Sequence, residues 1–256
     1  TRYETSLRIA KTAFSVANSG GEAPWQVVIA TGANFADALS VSSYAYACKM
    51  PILLCDPAAG LSDDALAFLK DKGIRHAMIV GGSQAVPSSV EAQLKSVDVS
   101  YDRYSGSTRY ETSVKIAGRA SSVFNNPSVL GLSGSIFATG KNFPDALAAG
   151  PVAGHLRSFV LLVDDGNDAA VQYAQKWTKD YGSRPDTQDM VPTTAYIAGG
   201  VNAVSDSTAS SLSVFQCLWR RGPFGSPSPF NSDWSFNGLN DRYYTFVLFH
   251  PFVGCV

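Results

Sequence analysis

At 256 residues the chain is long enough for one or two domains. Hydrophobic residues make up 45% and charged residues 16%, which is ample apolar material for ordinary cores. A formal net charge of −1, from 20 basic and 21 acidic residues, excludes the basic field that non-specific nucleic-acid binding needs, and no run of 18 apolar residues offers a transmembrane helix.

In chain order, apolar Leu7, Ile9, Ala10, Phe14 and Val16 at three- and four-residue steps predict a helix from Glu4 to Asn18. Trp25 to Ala30 is a short apolar run rich in β-branched residues, a buried strand that ends at Thr31-Gly32. A helix packed with Ala and Ser follows over Phe35 to Cys48, then a second buried strand over Pro51 to Cys55. Ser62 to Lys72 is an amphipathic helix with Ser62 or Asp63 as N-cap and Gly73 as its stop. His76 to Val80 is a third strand closed by Gly81-Gly82, Ser88 to Lys95 a further helix, and Val97 to Tyr104 a strand. The order then begins again. Arg109 to Phe124 reads as helix, Ser135 to Ala138 as strand, Phe143 to Leu156 as helix and Phe159 to Val163 as strand. Asp168 to Tyr181 reads as helix, Ser183 to Pro192 as a polar loop carrying extra length, Thr194 to Ala198 as strand and Ser205 to Phe215 as helix.

The second pass repeats residues as well as elements. Arg2-Tyr3-Glu4-Thr5-Ser6 returns 107 residues later as Arg109-Tyr110-Glu111-Thr112-Ser113. Thr31-Gly32-Ala33-Asn34-Phe35-Ala36-Asp37 returns 108 residues later as Thr139-Gly140-Lys141-Asn142-Phe143-Pro144-Asp145. Gly81-Gly82 returns 118 residues later as Gly199-Gly200. A repeat of domain size fixes the architecture and points to avidity. The chain divides into a module over 1–105, a module over 106–216 and an atypical segment over 217–256. Short buried strands alternating with helices predict an α/β fold of tandem, pseudo-symmetric parallel-sheet βαβ modules, three-layered in a Rossmann-like or Toprim-like manner. The last segment breaks the pattern. Residues 218–256 have no Lys and no Glu but ten aromatics, with no period of 2 or 3.6, and no regular structure is assigned to them.

Candidate ligand contacts lie at strand C-terminal ends, where open parallel sheets bind ligands. Thr31, Gly32 and Asn34, and Thr139, Gly140 and Asn142, form strand-to-helix turns in which the asparagines are natural N-caps. Asp37 and Asp145 follow near the positive helix end. Gly81, Gly82, Gly199 and Gly200 permit a tight turn, or cradle an anion with backbone amides. Arg2 and Arg109 pair with an acidic group of a neighbouring module or with a phosphate on a ligand, and Tyr3 and Tyr110 pack between modules. For the threonines, glycines, asparagines and aspartates the competing reading is that they only build the turn; for the arginines it is the module contact. Asp164-Asp165-Gly166-Asn167-Asp168 lacks calcium-loop spacing and reads as a solvated turn. Cys48, Cys55, Cys217 and Cys255 are far apart and unrepeated, so they read as buried or idle thiols, away from His76, His155 and His250. No dinucleotide or phosphate-loop pattern, no metal-ligand spacing and no nucleophile elbow is present, so no cofactor, metal or catalytic residue is assigned.

Arg-Tyr-Glu-Thr, Thr-Gly-x-Asn-Phe-x-Asp-Ala-Leu, Pro-Ile-Leu-Leu and Val-Gly-Gly-x-x-Ala-Val together resemble the cell-wall-binding repeat 2 family over residues 1–216. The second copy has Ser158-Phe159-Val160-Leu161-Leu162 where the first has Pro51-Ile52-Leu53-Leu54. The resemblance implies a secreted protein of the Gram-positive surface or S-layer type. Such proteins are held on the wall by tandem modules that bind an anionic wall polymer, a teichoic-acid-like or phosphate-containing polysaccharide. It also implies partners in neighbouring repeat modules, in cis or in trans, since such modules act in threes. Two recognisable copies are present, and the chain opens inside a motif, so the absence of an export signal leaves the parent protein's location open. The reading is a non-catalytic anchor. The alternatives are a wall hydrolase or amidase-associated enzyme using Asp37 and Asp145, and a structural module that pairs with its own copies in a surface layer.

Overall fold

The computed structural model describes residues 1–19, 24–124, 135–156, 158–164, 171–172, 195–212 and 246–248. The first module runs α1 (Arg2–Ser19), β1 (Gln26–Thr31), α2 (Ala36–Ala47), β2 (Ile52–Cys55), α3 (Asp63–Asp71), β3 (His76–Val80), α4 (Ser89–Ser96) and β4 (Ser100–Tyr104). The second runs α5 (Arg109–Phe124), β5 (Ser135–Thr139), α6 (Pro144–His155), β6 (Phe159–Val163), β7 (Ala195–Ala198), α7 (Asp206–Leu212) and β8 (Phe246–Leu248). Each module carries one four-stranded sheet, ordered β2-β1-β3-β4 and β6-β5-β7-β8. All pairings are parallel except β7 with β8. The α/β reading therefore holds, with this one exception. At the edge where the first module has parallel β4, the second has Phe246–Leu248 running antiparallel, which gives part of the otherwise unassigned 217–256 segment a strand. Most of the helix expected at Asp168 to Tyr181, and the loop at Ser183 to Pro192, lie outside the described residues; within the former, 171–172 are helical.

The helix ends follow local chemistry. Ser62 Oγ accepts the Ala65 amide at 3.3 Å and caps α3, and Gly73, at φ +66°, ends that helical stretch. At α2 and α6 the cap position falls on Phe35 and Phe143 rather than on the asparagines. Asn34 still serves the helix start, because its Oδ1 accepts the Ala36 amide at 3.1 Å in a two-residue side-chain turn.

Strand alternation divides the first sheet between two cores. Val27, Ile29, Leu53, Ala77 and Ile79 face α1, α3 and α4, with Leu7, Phe14, Phe68 and Leu94 buried against them. Val28, Ala30, Met78 and Val80 face α2, and that cluster continues without a break into Ile116, Phe137, Leu161 and Val163 of the second module. The modules thus share a core. Their tightest approach is α2 on α6, where a Cβ at Gly150 would strike Ser42 and one at Gly154 would lie 2.8 Å from the Tyr46 Cβ.

The junction is not symmetric. Leu39 and Tyr44 on α2 are 7% and 4% exposed, whereas their counterparts on α6, Leu147 and Val152, are 57% and 38% exposed. Ile116 on α5 is 1% exposed, whereas its counterpart on α1, Ile9, is 63% exposed. The first module seats its α2 face on the α5–β6 side of the second, which leaves an α6 face and an α1 face of the same kinds uncovered.

Candidate functional site

The duplicated motifs converge, within each module, on one end of the sheet. Thr31 and Thr139 are buried, and their Oγ1 atoms accept the amides of Ala33 and Lys141 at 3.2 Å. Gly32 and Gly140 donate to the Cys55 and Val163 carbonyls at 2.9 and 2.7 Å, so each turn hangs on the neighbouring strand. Over these glycines lie the rings of Tyr3 and Tyr110, so close that a Cβ on either glycine would collide with the ring. Arg2 and Arg109 donate from Nη1 to the Gly32 and Gly140 carbonyls, each at 2.6 Å.

Asp37 and Asp145 reach the second glycine motif of their own module. A Cβ on Gly81 would lie 2.5 Å from the Asp37 Oδ2, and one on Gly199 would lie 2.6 Å from the Asp145 Oδ2. Both glycines have positive φ, +107° and +119°, which Cβ-bearing residues rarely adopt. Glycine is therefore required there twice over, by conformation and by the carboxylate. Gly82 and Gly200 face open space, with their carbonyls accepting the amides of Ala85 and Val86, and of Ala203 and Val204.

The two sites meet across the module junction. The Arg109 guanidinium carbon stands 5.5 Å from the centroid of the Phe35 ring, and the Phe35 and Phe143 rings are 5.9 Å apart. Burial pushes the Asp37 carboxyl above its usual range, and the Arg109 charge opposes that shift. Of the two arginines, Arg109 therefore contacts the neighbouring module, while both hold a turn of their own.

Sequence reasoning missed several partners. Asp56 accepts the Tyr3 hydroxyl together with the Ala58 and Ala59 amides, and these bonds hold its carboxyl below the usual range. Asp164 accepts the Tyr110 hydroxyl at 2.9 Å and pairs with Lys141 at 2.5 Å. Burial, then Asp164, pushes the Tyr110 phenol up to about 12. Asp164 thus does not sit in a solvated turn, because a tyrosine 54 residues away reaches it; Asp165 to Asp168 lie outside the described residues. The tyrosines pack chiefly inside their own modules. Tyr110 alone also borders a cluster containing Ala36 and Leu39 of the other module. Ser6 and Ser113 each accept an amide of the second strand of their module, Leu54 and Leu162, at 3.1 and 3.2 Å. Arg103 binds Glu91 at 2.7 Å and the carbonyls of Gly81 and Val86 at 2.9 and 3.0 Å, pinning the glycine turn. The signal for Asp56 and Asp164 was present: both directly follow the second strand of their module.

Among the described residues no group of three His, Cys, Asp or Glu side chains is placed to hold a metal, and no helix is long and apolar enough to cross a membrane. Cys48 is half-buried and Cys55 buried, both free thiols; Cys217 and Cys255 lie outside the described residues.

The sequence model of the family described as cell wall binding domain 2 matches residues 1–91 and 103–209. The chain is 34% identical over 116 residues to N-acetylmuramoyl-L-alanine amidase LytC of Bacillus subtilis (strain 168), a match taking in 45% of this chain and 22% of that protein. It is 29% identical over 182 residues to the amidase enhancer of the same organism, taking in 71% of this chain and 23% of that protein. The aligned part is thus less than a quarter of either relative. Among solved structures, Cwp6 from Clostridium difficile superposes with a TM-score of 0.66 at 22% identity, over 83% of this chain and 30% of that one. Cwp8 from the same organism superposes with a TM-score of 0.54 at 20% identity, over 75% and 29%. These likenesses carry the fold.

Proposed function

The chain belongs to the cell wall binding domain 2 family, and from that premise we propose that it is a non-catalytic anchor for an anionic wall polymer. Its units are the modules 1–105 and 106–216, and its ligand is a teichoic-acid-like or phosphate-containing polysaccharide. The observation that carries this reading is duplication down to single contacts. Arg on the turn carbonyl, Tyr on the turn glycine and Asp on the second glycine recur in both modules. Two copies of one small site, joined through a common core, suit a ligand that itself repeats, because the second contact is then intramolecular. The open glycines Gly82 and Gly200, with the exposed Asn34 and Asn142, form the contact surface, and the buried Thr31, Gly32, Thr139 and Gly140 shape the turns beneath it. Arg2 and Arg109 hold its turns, and the second site carries the Lys141–Asp164 ion pair where the first has Ala33.

The enzyme reading has one observation in its favour, the burial that raises Asp37. It lacks a partner: no described side chain hydrogen-bonds Asp37, and the carboxylate lies against a glycine. The amidase names belong to relatives of which this chain spans less than a quarter. The uncovered α6 face, with Leu147 and Val152, and the uncovered α1 face, with Ile9, support a further equivalent module as neighbour, from the same or another chain. A secreted, wall-bound location, in a surface layer or beside one, follows from the same reading.

The test is retention of this chain on purified Gram-positive walls before and after hydrofluoric acid strips the anionic polymers, at two salt concentrations. Loss on stripping and weakening by salt are the expected results. Equal retention on stripped walls would overturn the polymer assignment.

A further inference from the structure

At the opposite end of β1 from the strand-end site, a cleft of about 210 Å³ opens between the modules. Its walls come from three places. Pro24, Trp25 and Gln26 enter β1, Tyr44, Cys48 and Met50 lie on and just after α2, and Arg119 reaches in from α5 of the second module. The cleft therefore exists only while the modules are docked. Its lining residues are not repeated in sequence: the second copy has Ser133 where Trp25 stands, Val152 for Tyr44 and Leu156 for Cys48.

Three properties define what fits. Trp25 is 59% exposed, a large flat apolar face at the mouth of a concave site. Arg119 brings a guanidinium to the lining. Burial raises the Tyr44 phenol and the Cys48 thiol, and the Arg119 charge pulls both back down. Gln26, also in the lining, supplies a donor and an acceptor. An indole face for the apolar side of a ring, an amide for hydroxyls and a guanidinium for an anion are the complement of a charged sugar. The volume admits one ring and not an extended ligand.

We propose that this cleft is a second, separate site for a single negatively charged sugar residue, a uronate or a sugar phosphate, stacked on Trp25 with its anion on Arg119. On the polymer-anchor reading it is a further contact for the same chain of sugars. β1 spans five residue steps, so the two sites stand about 17 Å apart along it.

The test uses the whole chain, labelled with ¹⁵N, and three soluble probes: methyl β-glucuronide, glucose 1-phosphate and uncharged methyl β-glucoside. The chain has four tryptophans, and the Trp25 indole N–H signal is the one missing from Trp25→Phe. Saturable shifts of that signal with at least one charged probe are expected, with the uncharged glucoside weaker by tenfold or more and Arg119→Gln weakened as much. A saturable response in parent protein that survives unchanged in Trp25→Ala would overturn the stacking. Equal affinity for charged and uncharged probes would overturn the role of Arg119, and no saturable shift with any probe would overturn the site. The outcome is independent of wall retention: charged sugars binding at Trp25 in a chain that walls do not retain would sink the anchor reading and leave the cleft standing.

Discussion

The crossing of α2 and α6 provides the sharpest test of the module junction. Gly154→Ala puts a methyl on α6 at 2.8 Å from both Cβ and Cγ of Tyr46 and 2.5 Å from its Cδ1. Those are not the far end of a flexible side chain; the Cβ moves only if the α2 backbone moves. Overpacking of this kind costs about 1–3 kcal/mol. Alanine regains up to about 1 kcal/mol over glycine in a helix interior, and less here, since Gly154 is the penultimate residue of α6. The net expectation is a loss of roughly 1–2 kcal/mol. Gly150→Ala is the internal control. Its methyl meets the Ser42 hydroxyl, which can turn away at the cost of its 2.6 Å bond to the Leu39 carbonyl. Because Gly150 precedes Pro151, the usual helix gain is largely absent, and the lost bond leaves a cost of about 1 kcal/mol, smaller than at Gly154. The assay is urea unfolding, read as a change in midpoint at constant slope. Tyr46→Gly removes all three atoms, so the double mutant should show a coupling of at least about 0.5 kcal/mol with Gly154→Ala. A Gly154→Ala protein as stable as the parent, or additive with Tyr46→Gly, would refute the packing of α2 on α6.

Ser113→Ala leaves the amide of Leu162 without its acceptor in a fully buried setting, and should cost about 1–3 kcal/mol in urea unfolding, more than Ser6→Ala at its less buried equivalent. Arg103→Met removes a cation from Glu91 and a donor from two carbonyls; about 1.5–3 kcal/mol should be lost, with faster hydrogen exchange at the Ala85 and Val86 amides. Because Arg109 opposes the upward shift of Asp37, Arg109→Gln should raise the Asp37 titration midpoint further in NMR; a midpoint that stays put or falls would show that the two groups do not sense each other. A carboxyl whose folded midpoint is raised stabilises the fold most below the unfolded value near pH 4, and loses that contribution as pH rises through the folded midpoint. Asp37→Asn should therefore gain on the parent in unfolding free energy between pH 3 and pH 7.

How much of this was legible beforehand depends on the range over which each signal acts. β1, β2 and β3 were readable because burial on both faces demands uninterrupted apolar runs, and their observed bounds differ from the reading by at most one residue. Ser62 and Gly73 were readable because a cap is a local hydrogen bond and a positive φ is a local constraint. The capping asparagines were displaced by one residue, since Asn34 meets its amide through a side-chain turn and not from the cap itself. The hydrogen-bond partners of the tyrosines were not readable for a different reason. Tyr3 and Tyr110 find Asp56 and Asp164 across 53 and 54 residues, and spacing carries no information about such pairs until the sheet order is known. The antiparallel β8 was invisible, because three apolar residues among ten aromatics have no period to read.

The two copies are not interchangeable beads. At the α2–α6 crossing the first copy supplies Tyr46 and the second supplies Gly154, its own counterpart. A chain built from two first copies would set tyrosine against tyrosine where there is no room for a single methyl. One built from two second copies would set glycine against glycine and leave a gap. Order along the chain is therefore written into the junction: the modules fit as first-then-second, and exchanging or recombining them would spoil the joint even though every strand and turn survived.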